Sequence, residues 1–219
     1  MLKILRHQLS QYSPPENQHT RQRASVLIPI FEKESRLHFL LTRRSSKLRS
    51  HSGQVSFPGG KRDESDQHDL DTALREAHEE IGLLPDSVAI LGKIDQILSR
   101  NFLLVSPYVG MIPSNFVPQP NEFEIESVFH VPLDFFMKEG HHFLQEYQTK
   151  RPYFVHHFYY KDYDIWGLTA QLILRFLEIG LNYIPPYPVH HPKNPTWMEQ
   201  SQLFRDEHIP KILEGWQSI

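Results

Sequence analysis

Gly59-Gly60-Lys61, followed after a polar stretch by Arg75-Glu76-Ala77-His78-Glu79-Glu80-Ile81-Gly82, is the part of the chain from which the rest can be read. An α-helix turns once in about 3.6 residues, so Glu76, Glu79 and Glu80, at i, i+3 and i+4, share one face, while Leu74, Ala77 and Ile81 share the other. Like charges at this spacing repel by a few tenths of a kcal/mol per pair, roughly 0.2–0.5, so helix stability alone would not select them. A divalent cation reverses that balance, because Mg²⁺ or Mn²⁺ takes carboxylate oxygens and keeps positions for water and phosphate oxygens. Taken alone, E-x-x-E-E is also the pattern of a solvated acidic face. The two glycines upstream argue for the ligand, since they let backbone amides approach a phosphate without side-chain obstruction. The spacing predicts a helix over Asp71–Ile81, with Asp69 or Asp71 capping its first turn and Gly82 supplying a left-handed end.

Outward from this helix the chain alternates strands with few helices. Ala24–Phe31 is β-branched and apolar and predicts a central strand, with His38–Thr42 as its neighbour and Val55–Phe57 as a short strand before the turn Pro58-Gly59-Gly60. Further strands are expected over Val88–Leu98, Leu103–Met111 and Val128–Val131, and an aromatic pair over Phe143–Tyr147 and Tyr153–Tyr160. Leu168–Ile179 predicts an amphipathic helix, and a last helix is expected near Met198–Trp216 after a proline- and histidine-rich stretch. Leu2, Ile4, Leu5 and Leu9 predict an ordinary first helix in preference to a transit peptide. The pattern is that of an α/β (α+β) fold, a mixed sheet with helices on its faces.

The 219 residues are enough for one domain and its core. Lysine and arginine total 23 against 26 acidic residues, a formal charge of −3, so no global field favours nucleic acid or an anionic membrane. An anion site has to be local. There is no cysteine, which removes disulfides, thiolate metal sites and a cysteine nucleophile together and fits a cytoplasmic protein. Apolar runs such as Ala24–Phe31 fall far short of the roughly 20 residues of a membrane span.

The glycine, the acid and the carboxylate helix resemble the signature of the Nudix hydrolases: a glycine, five residues, an acid, a spacer, then R-E-apolar-x-E-E-x-G-apolar. Here these are Gly60, Asp66 and Arg75 to Leu83, with aspartate in place of the usual glutamate and a spacer one residue longer. The preceding block, Leu40-Leu41-Thr42-Arg43-Arg44-Ser45, Arg49, Gly53 and Phe57-Pro58-Gly59-Gly60, resembles the additional motif of the coenzyme A pyrophosphatases within that superfamily, and matches every fixed position. In that subfamily the aspartate and the longer spacer are themselves the pattern. Glu124-Ile125, Val128–Leu133 and Ile165–Ala170 are similar to its later blocks.

The resemblance implies a Nudix-type α/β/α sandwich: an N-terminal segment 1–20, a Nudix domain 21–180 and a C-terminal proline-rich extension and helix 181–219. It implies metal-assisted hydrolysis of coenzyme A, its acyl or oxidised derivatives included, to 3′,5′-ADP and 4′-phosphopantetheine. Mg²⁺ or Mn²⁺ would be held by Glu76, Glu80 and Glu79. The base would be Glu79 or Glu124; without the resemblance Glu124, in a run with Glu122 and Glu126, reads as a surface charge. Arg43, Arg44, Arg49, Gly59, Gly60 and Lys61 are the expected substrate contacts, since arginine forks match phosphate oxygens. A homodimer is allowed by the sequence without being written in it.

Two other functions fit the same residues. One is hydrolysis of another diphosphate, such as NADH, a nucleotide sugar or a damaged nucleoside triphosphate. The other is a catalytically silent nucleotide-binding module, against which the intact glutamates argue. His78 lies off the ligand face, and the His-His pairs beginning at 141, 156 and 190 lack a third ligand at zinc spacing. Trp166 and the aromatics of Tyr153–Tyr160 are expected to fill the core rather than stack on a base.

Overall fold

The computed structural model of the chain describes residues 1–15, 22–48, 50–99, 102–138, 140–147 and 153–184. Arg49 and the helix expected near Met198–Trp216 lie outside these residues, as does the proline- and histidine-rich stretch from position 185 on. Helix α1 (Leu2–Gln11) leads into strands β1 (Arg23–Lys33), β2 (Arg36–Arg44), β3 (Val55–Ser56) and β4 (Gly59–Lys61). Helix α2 (Asp69–Ile81) follows, then β5 (Ala89–Lys93), β6 (Ile97–Leu98), β7 (Leu104–Met111) and β8 (Ile125–Pro132). Strands β9 (His142–Tyr147), β10 (Tyr153–Tyr160) and β11 (Tyr163–Trp166) and helix α3 (Gly167–Leu181) are the last elements among the described residues.

Strands β1 to β8 form one mixed sheet and β9 to β11 a separate antiparallel meander. In the large sheet β1 runs parallel to β7, with Arg23 opposite Leu104 and Ile30 opposite Met111. On its other edge β1 pairs with two strands in succession, β4 over Ala24–Val26 and β2 over Ile30–Lys33. β2 likewise pairs with β1 and then β3 along one edge, and with β8 along the other. β1 and β2 therefore diverge, and the segment carrying β3 and β4 fills the gap between them.

Alternation along the strands sorts the core into two layers. Leu27, Phe31 and Leu40 face α2 and pack on its Ala73, Ala77 and Ile81. Ile28, Ile30, Phe39 and Leu41 face the opposite way, onto Leu5 and Leu9 of α1 and Leu172, Phe176 and Leu177 of α3. The result is an α/β/α sandwich. Burying a leucine or phenylalanine side chain stabilises by about 1.5–3 kcal/mol, and Phe39, Phe136, Phe158 and Phe176 are all fully buried.

Several expectations are corrected. α2 starts at Asp69 and its N-cap is His68, whose backbone N–H donates to Asp71 Oδ2 at 2.7 Å; Asp71 thus acts from inside the first turn. Asp69 is buried and bonded to Arg23 and Ser106, so it is unavailable as a cap. Gly59-Gly60 is a strand, because only residues without a side chain fit beside β1: a Cβ at Gly59 would come closer than 3.0 Å to the Ser25 carbonyl. Val88–Leu98 is interrupted over 94–96, which separates β5 from β6, and β5 itself carries a register shift between Ile90 and Gly92, where the backbone of Leu9 packs on Gly92. β11 had no counterpart in the expected strands. The left-handed end at Gly82 (φ 72°) is as expected, its N–H bonding His78 at 2.9 Å. No helix among the described residues is long and apolar enough to cross a membrane.

Candidate active site

α2 lies against the glycine strand β4, and the three glutamates of its ligand face meet three different environments. Glu80 is buried, with 2% of its side chain exposed; Glu76 keeps 17% and Glu79 55%. Glu80 is held from two sides: Arg44 Nη1 lies 3.2 Å from its Oε1, and the Gly59 N–H donates to its Oε2 at 3.3 Å. β2 carries Leu40, Thr42 and Arg44 on the α2 side, so strand alternation aims Arg44 at Glu80 and Arg43 at the other face. Gly60 makes room for Glu76. A Cβ there would lie within 3.0 Å of the carboxyl carbon and both oxygens.

Arg75 organises the outer part of the group. Its Nε and Nη2 donate to the two oxygens of Asp66 at 3.0 and 2.9 Å, its Nη1 to Glu76 at 3.0 Å and Glu79 at 2.9 Å, and its Nη2 also to the Lys61 carbonyl at 3.1 Å. Asp66 additionally accepts from Thr72 and from the Asp63 N–H. The two-point bond to Arg75 holds the Asp66 carboxyl far below its ordinary range. Asp66 is thus a support for Arg75.

Glu124 reaches the site through the main chain. The Asn121 N–H donates to the Glu80 carbonyl at 2.9 Å, the Glu124 N–H to the Asn121 carbonyl at 2.9 Å, and the Ser45 N–H to the Glu124 carbonyl at 2.7 Å. This turn pins the start of β8 between the C-terminal end of α2 and the end of β2. Glu122 and Glu126 are exposed, whereas Glu124 is half-buried and its charge is felt by both Glu76 and Glu80.

Burial pushes the Glu80 carboxyl up to about 8, against the lowering effect of Arg44 and the Gly59 N–H, with Glu76 and Glu124 adding to the rise. Burial also raises Glu76. Acids crowded and desolvated in this way favour a compensating cation. The donors are carboxylate oxygens, which suit Mg²⁺ or Mn²⁺. Among the described residues no three acidic, histidine or cysteine side chains form a complete cage. Mg²⁺ is usually bound by one or two carboxylates together with waters and substrate phosphates, and Glu76 with Glu80 fits that pattern.

The other expected contacts divide. Arg43 lies 3.7 Å from Glu126 and is partly exposed; Lys61 is exposed on β4. Arg62 is turned to Asp66, Gln67 and Asp69. Trp166 departs from expectation: it is half-buried, lies parallel to His157, and lines a cavity of about 290 Å³ with Tyr163 and Arg43. A larger concavity, about 420 Å³, lies between α1 and α3 around Tyr12 and Arg175 and shares no residue with α2 or β4.

Fold and site together define an α/β/α protein whose helix α2 sets the buried Glu80 and the largely buried Glu76 against the glycine strand β4. The family described as NUDIX domain matches residues 21–151. Nudix hydrolase 15, mitochondrial, of Arabidopsis thaliana is 42% identical over 180 residues, 78% of this chain and 63% of that protein. The peroxisomal coenzyme A diphosphatase NUDT7 of Mus musculus is 39% identical over 172 residues, 75% of this chain and 73% of that protein. The chain belongs to the Nudix family. It spans just under two-thirds of the length of the plant relatives it matches, 63% and 65%. Among solved structures, a MutT/nudix family protein from Enterococcus faecalis superposes with a TM-score of 0.51 at 15% identity, covering 83% of this chain and 70% of that one, a likeness of fold.

Proposed function

We propose that this chain is a hydrolase of the diphosphate linkage in coenzyme A and its acyl or oxidised derivatives, releasing 3′,5′-ADP and 4′-phosphopantetheine. The observation that carries the reading is the meeting of two sequence blocks on one carboxylate: Arg44 and Gly59, from the Leu40–Gly60 block, both bond Glu80 of the α2 helix. The 39% identity to a protein named as a coenzyme A diphosphatase supports the choice of substrate.

In this reading Glu76 and Glu80 hold Mg²⁺ or Mn²⁺. The ion would neutralise charge on the diphosphate and lower the pKa of an attached water. The chain's own groups do the rest. Arg44 and the Gly59 N–H fix the orientation of Glu80, Gly60 leaves the space that Glu76 needs, and Arg75 sets Glu76 and Glu79 in place. Glu124 accepts the proton of the attacking water, while Glu79 is engaged by Arg75 Nη1 at 2.9 Å. A general base of this kind contributes about 10²–10⁴-fold. Of the expected substrate contacts, Arg43 and Lys61 stay open to phosphate groups, and Arg49 is assigned the same role from its motif position.

Side-by-side turnover of coenzyme A, NADH and 8-oxo-dGTP with Mg²⁺ and with Mn²⁺ tests the substrate. The reading expects coenzyme A to have the highest kcat/KM of the three, and fails if it has the lowest.

A further inference from the structure

The 290 Å³ cavity lies at the end of β2, between the β2–β3 loop and the β10–β11 hairpin. Arg43, Gly53 and Gln54 contribute one wall, and Asp162, Tyr163 and Trp166 the other. Arg43 and Gly53 belong to the block that also places Arg44 and Gly59 on Glu80. Adjacent residues of a strand face opposite ways, so the Arg43-Arg44 pair joins the two places: Arg44 reaches Glu80 and Arg43 flanks the cavity. A ligand whose diphosphate sits at the glutamates can therefore pass its next group around the end of β2.

The hairpin wall is braced. Tyr163 stacks on Phe129, ring centroids 3.6 Å apart and planes 7° apart. Trp166 lies parallel to His157 at 5.8 Å, and His157 Nδ1 is 2.9 Å from Asp164. The Thr169 hydroxyl donates to the Val55 carbonyl at 2.9 Å, tying the start of α3 to β3. Half-exposed aromatic rings held in this way favour a planar ring, and stacking a base on an aromatic is worth about 1–3 kcal/mol. A carboxylate side chain offers hydrogen-bond acceptors, so Asp162 suits a ligand that presents N–H groups. Arg43 adds a cation for a neighbouring phosphate. A volume at the lower end of the range for ligand pockets, about 300 Å³ and upward, suits one ring system rather than a whole cofactor.

We propose that this cavity receives the adenine ring of the substrate, with Trp166 and Tyr163 as its stacking surface and Asp162 as acceptor for the exocyclic amine. The identification of the nucleotide as the 3′,5′-ADP half of coenzyme A rests on the function proposed above. A flexible pantetheine arm, with no ring to stack, takes no part in this cavity.

The test is calorimetric binding of three ligands: 3′,5′-ADP, its inosine counterpart, in which a carbonyl replaces the amine, and 4′-phosphopantetheine. Each is titrated into the full chain, Trp166→Ala and Asp162→Asn. 3′,5′-ADP should bind about tenfold or more weakly to Trp166→Ala, in line with the loss of one stacking contact. The preference of the wild type for adenine over inosine should vanish in Asp162→Asn, and phosphopantetheine should bind all three alike. If Trp166→Ala does not fold, Asp162→Asn carries the test. Unchanged affinity for 3′,5′-ADP in folded Trp166→Ala, an adenine preference that survives in Asp162→Asn, equal wild-type affinity for adenine and inosine forms, or no binding of 3′,5′-ADP overturns the proposal. Adenine preference without hydrolysis of coenzyme A would instead sink the substrate reading and leave the base site standing.

Discussion

Arg44 Nη1 lies 3.2 Å from Oε1 of Glu80, joining the end of β2 to the most buried carboxylate of α2. With Arg44 gone, Glu80 would keep only the Gly59 N–H, and its pKa would rise further. Arg44→Met is expected to weaken Mn²⁺ binding by about 10–100-fold, the range for losing a group that orients a metal ligand. Calorimetric titration of Mn²⁺ into the variant checks this, and wild-type affinity would show that Arg44 does not serve Glu80.

Gly60→Ala is predicted to displace Glu76, since the added methyl would overlap its carboxyl group. Overpacking of this kind costs about 1–3 kcal/mol. Thermal unfolding should register that loss, and turnover should fall out of proportion to it at temperatures where the variant is fully folded. Unaltered turnover would mean that Glu76 is free to move.

Glu80→Gln separates stability from activity. The Glu80 carboxyl is raised to about 8 in the folded chain, from an unfolded value near 4.5, so its ionisation opposes folding. The stability contributed by its protonated form is complete below the unfolded pKa and is lost as pH rises towards about 8. Metal-free Glu80→Gln should therefore be no less stable than wild type at pH 8 and should unfold with a flatter pH dependence. Its turnover should fall by about 10²-fold or more, the scale of losing an electrostatic stabiliser. Stabilisation by Mg²⁺ should grow with pH in wild type and stay flat in the variant, as parallel melting curves at pH 6 and pH 8 would reveal.

Asp66→Asn acts with the opposite sign. The folded pKa of Asp66 is depressed by its two-point bond to Arg75, so its contribution is present above the unfolded pKa near 3.8 and disappears as pH falls through the folded value. Wild type should lose stability over that acid range while the variant, already weakened at pH 7, shows less further loss. Acid titration followed by circular dichroism measures the difference.

The helix and its ligand face were legible because they are local: the period of about 3.6 that groups Glu76, Glu79 and Glu80 also buries Ala77 and Ile81. Gly59-Gly60 has the composition of a turn and forms a strand, since nothing local reveals that β1 and β2 diverge to leave a strand-wide gap. The three glutamates looked equivalent in sequence. They differ because Arg44 comes from a strand 36 residues away, and Arg75 takes Glu79 outward. The position of Glu124 depends on main-chain bonds of Asn121 to Glu80 and of Ser45 to Glu124, which carry no side-chain signature. The four residues of β11 are too few for periodicity to register, and the partial exposure of Trp166 at its end has no local signature.

The most direct measurement of the central claim is product analysis after incubating the purified chain with coenzyme A and Mg²⁺ or Mn²⁺. The account predicts 3′,5′-ADP and 4′-phosphopantetheine in equal amounts, formed only with metal and about 10²-fold or more slowly in Glu80→Gln. Intact coenzyme A after prolonged incubation with either metal, or products from cleavage at any bond other than the diphosphate, would contradict it.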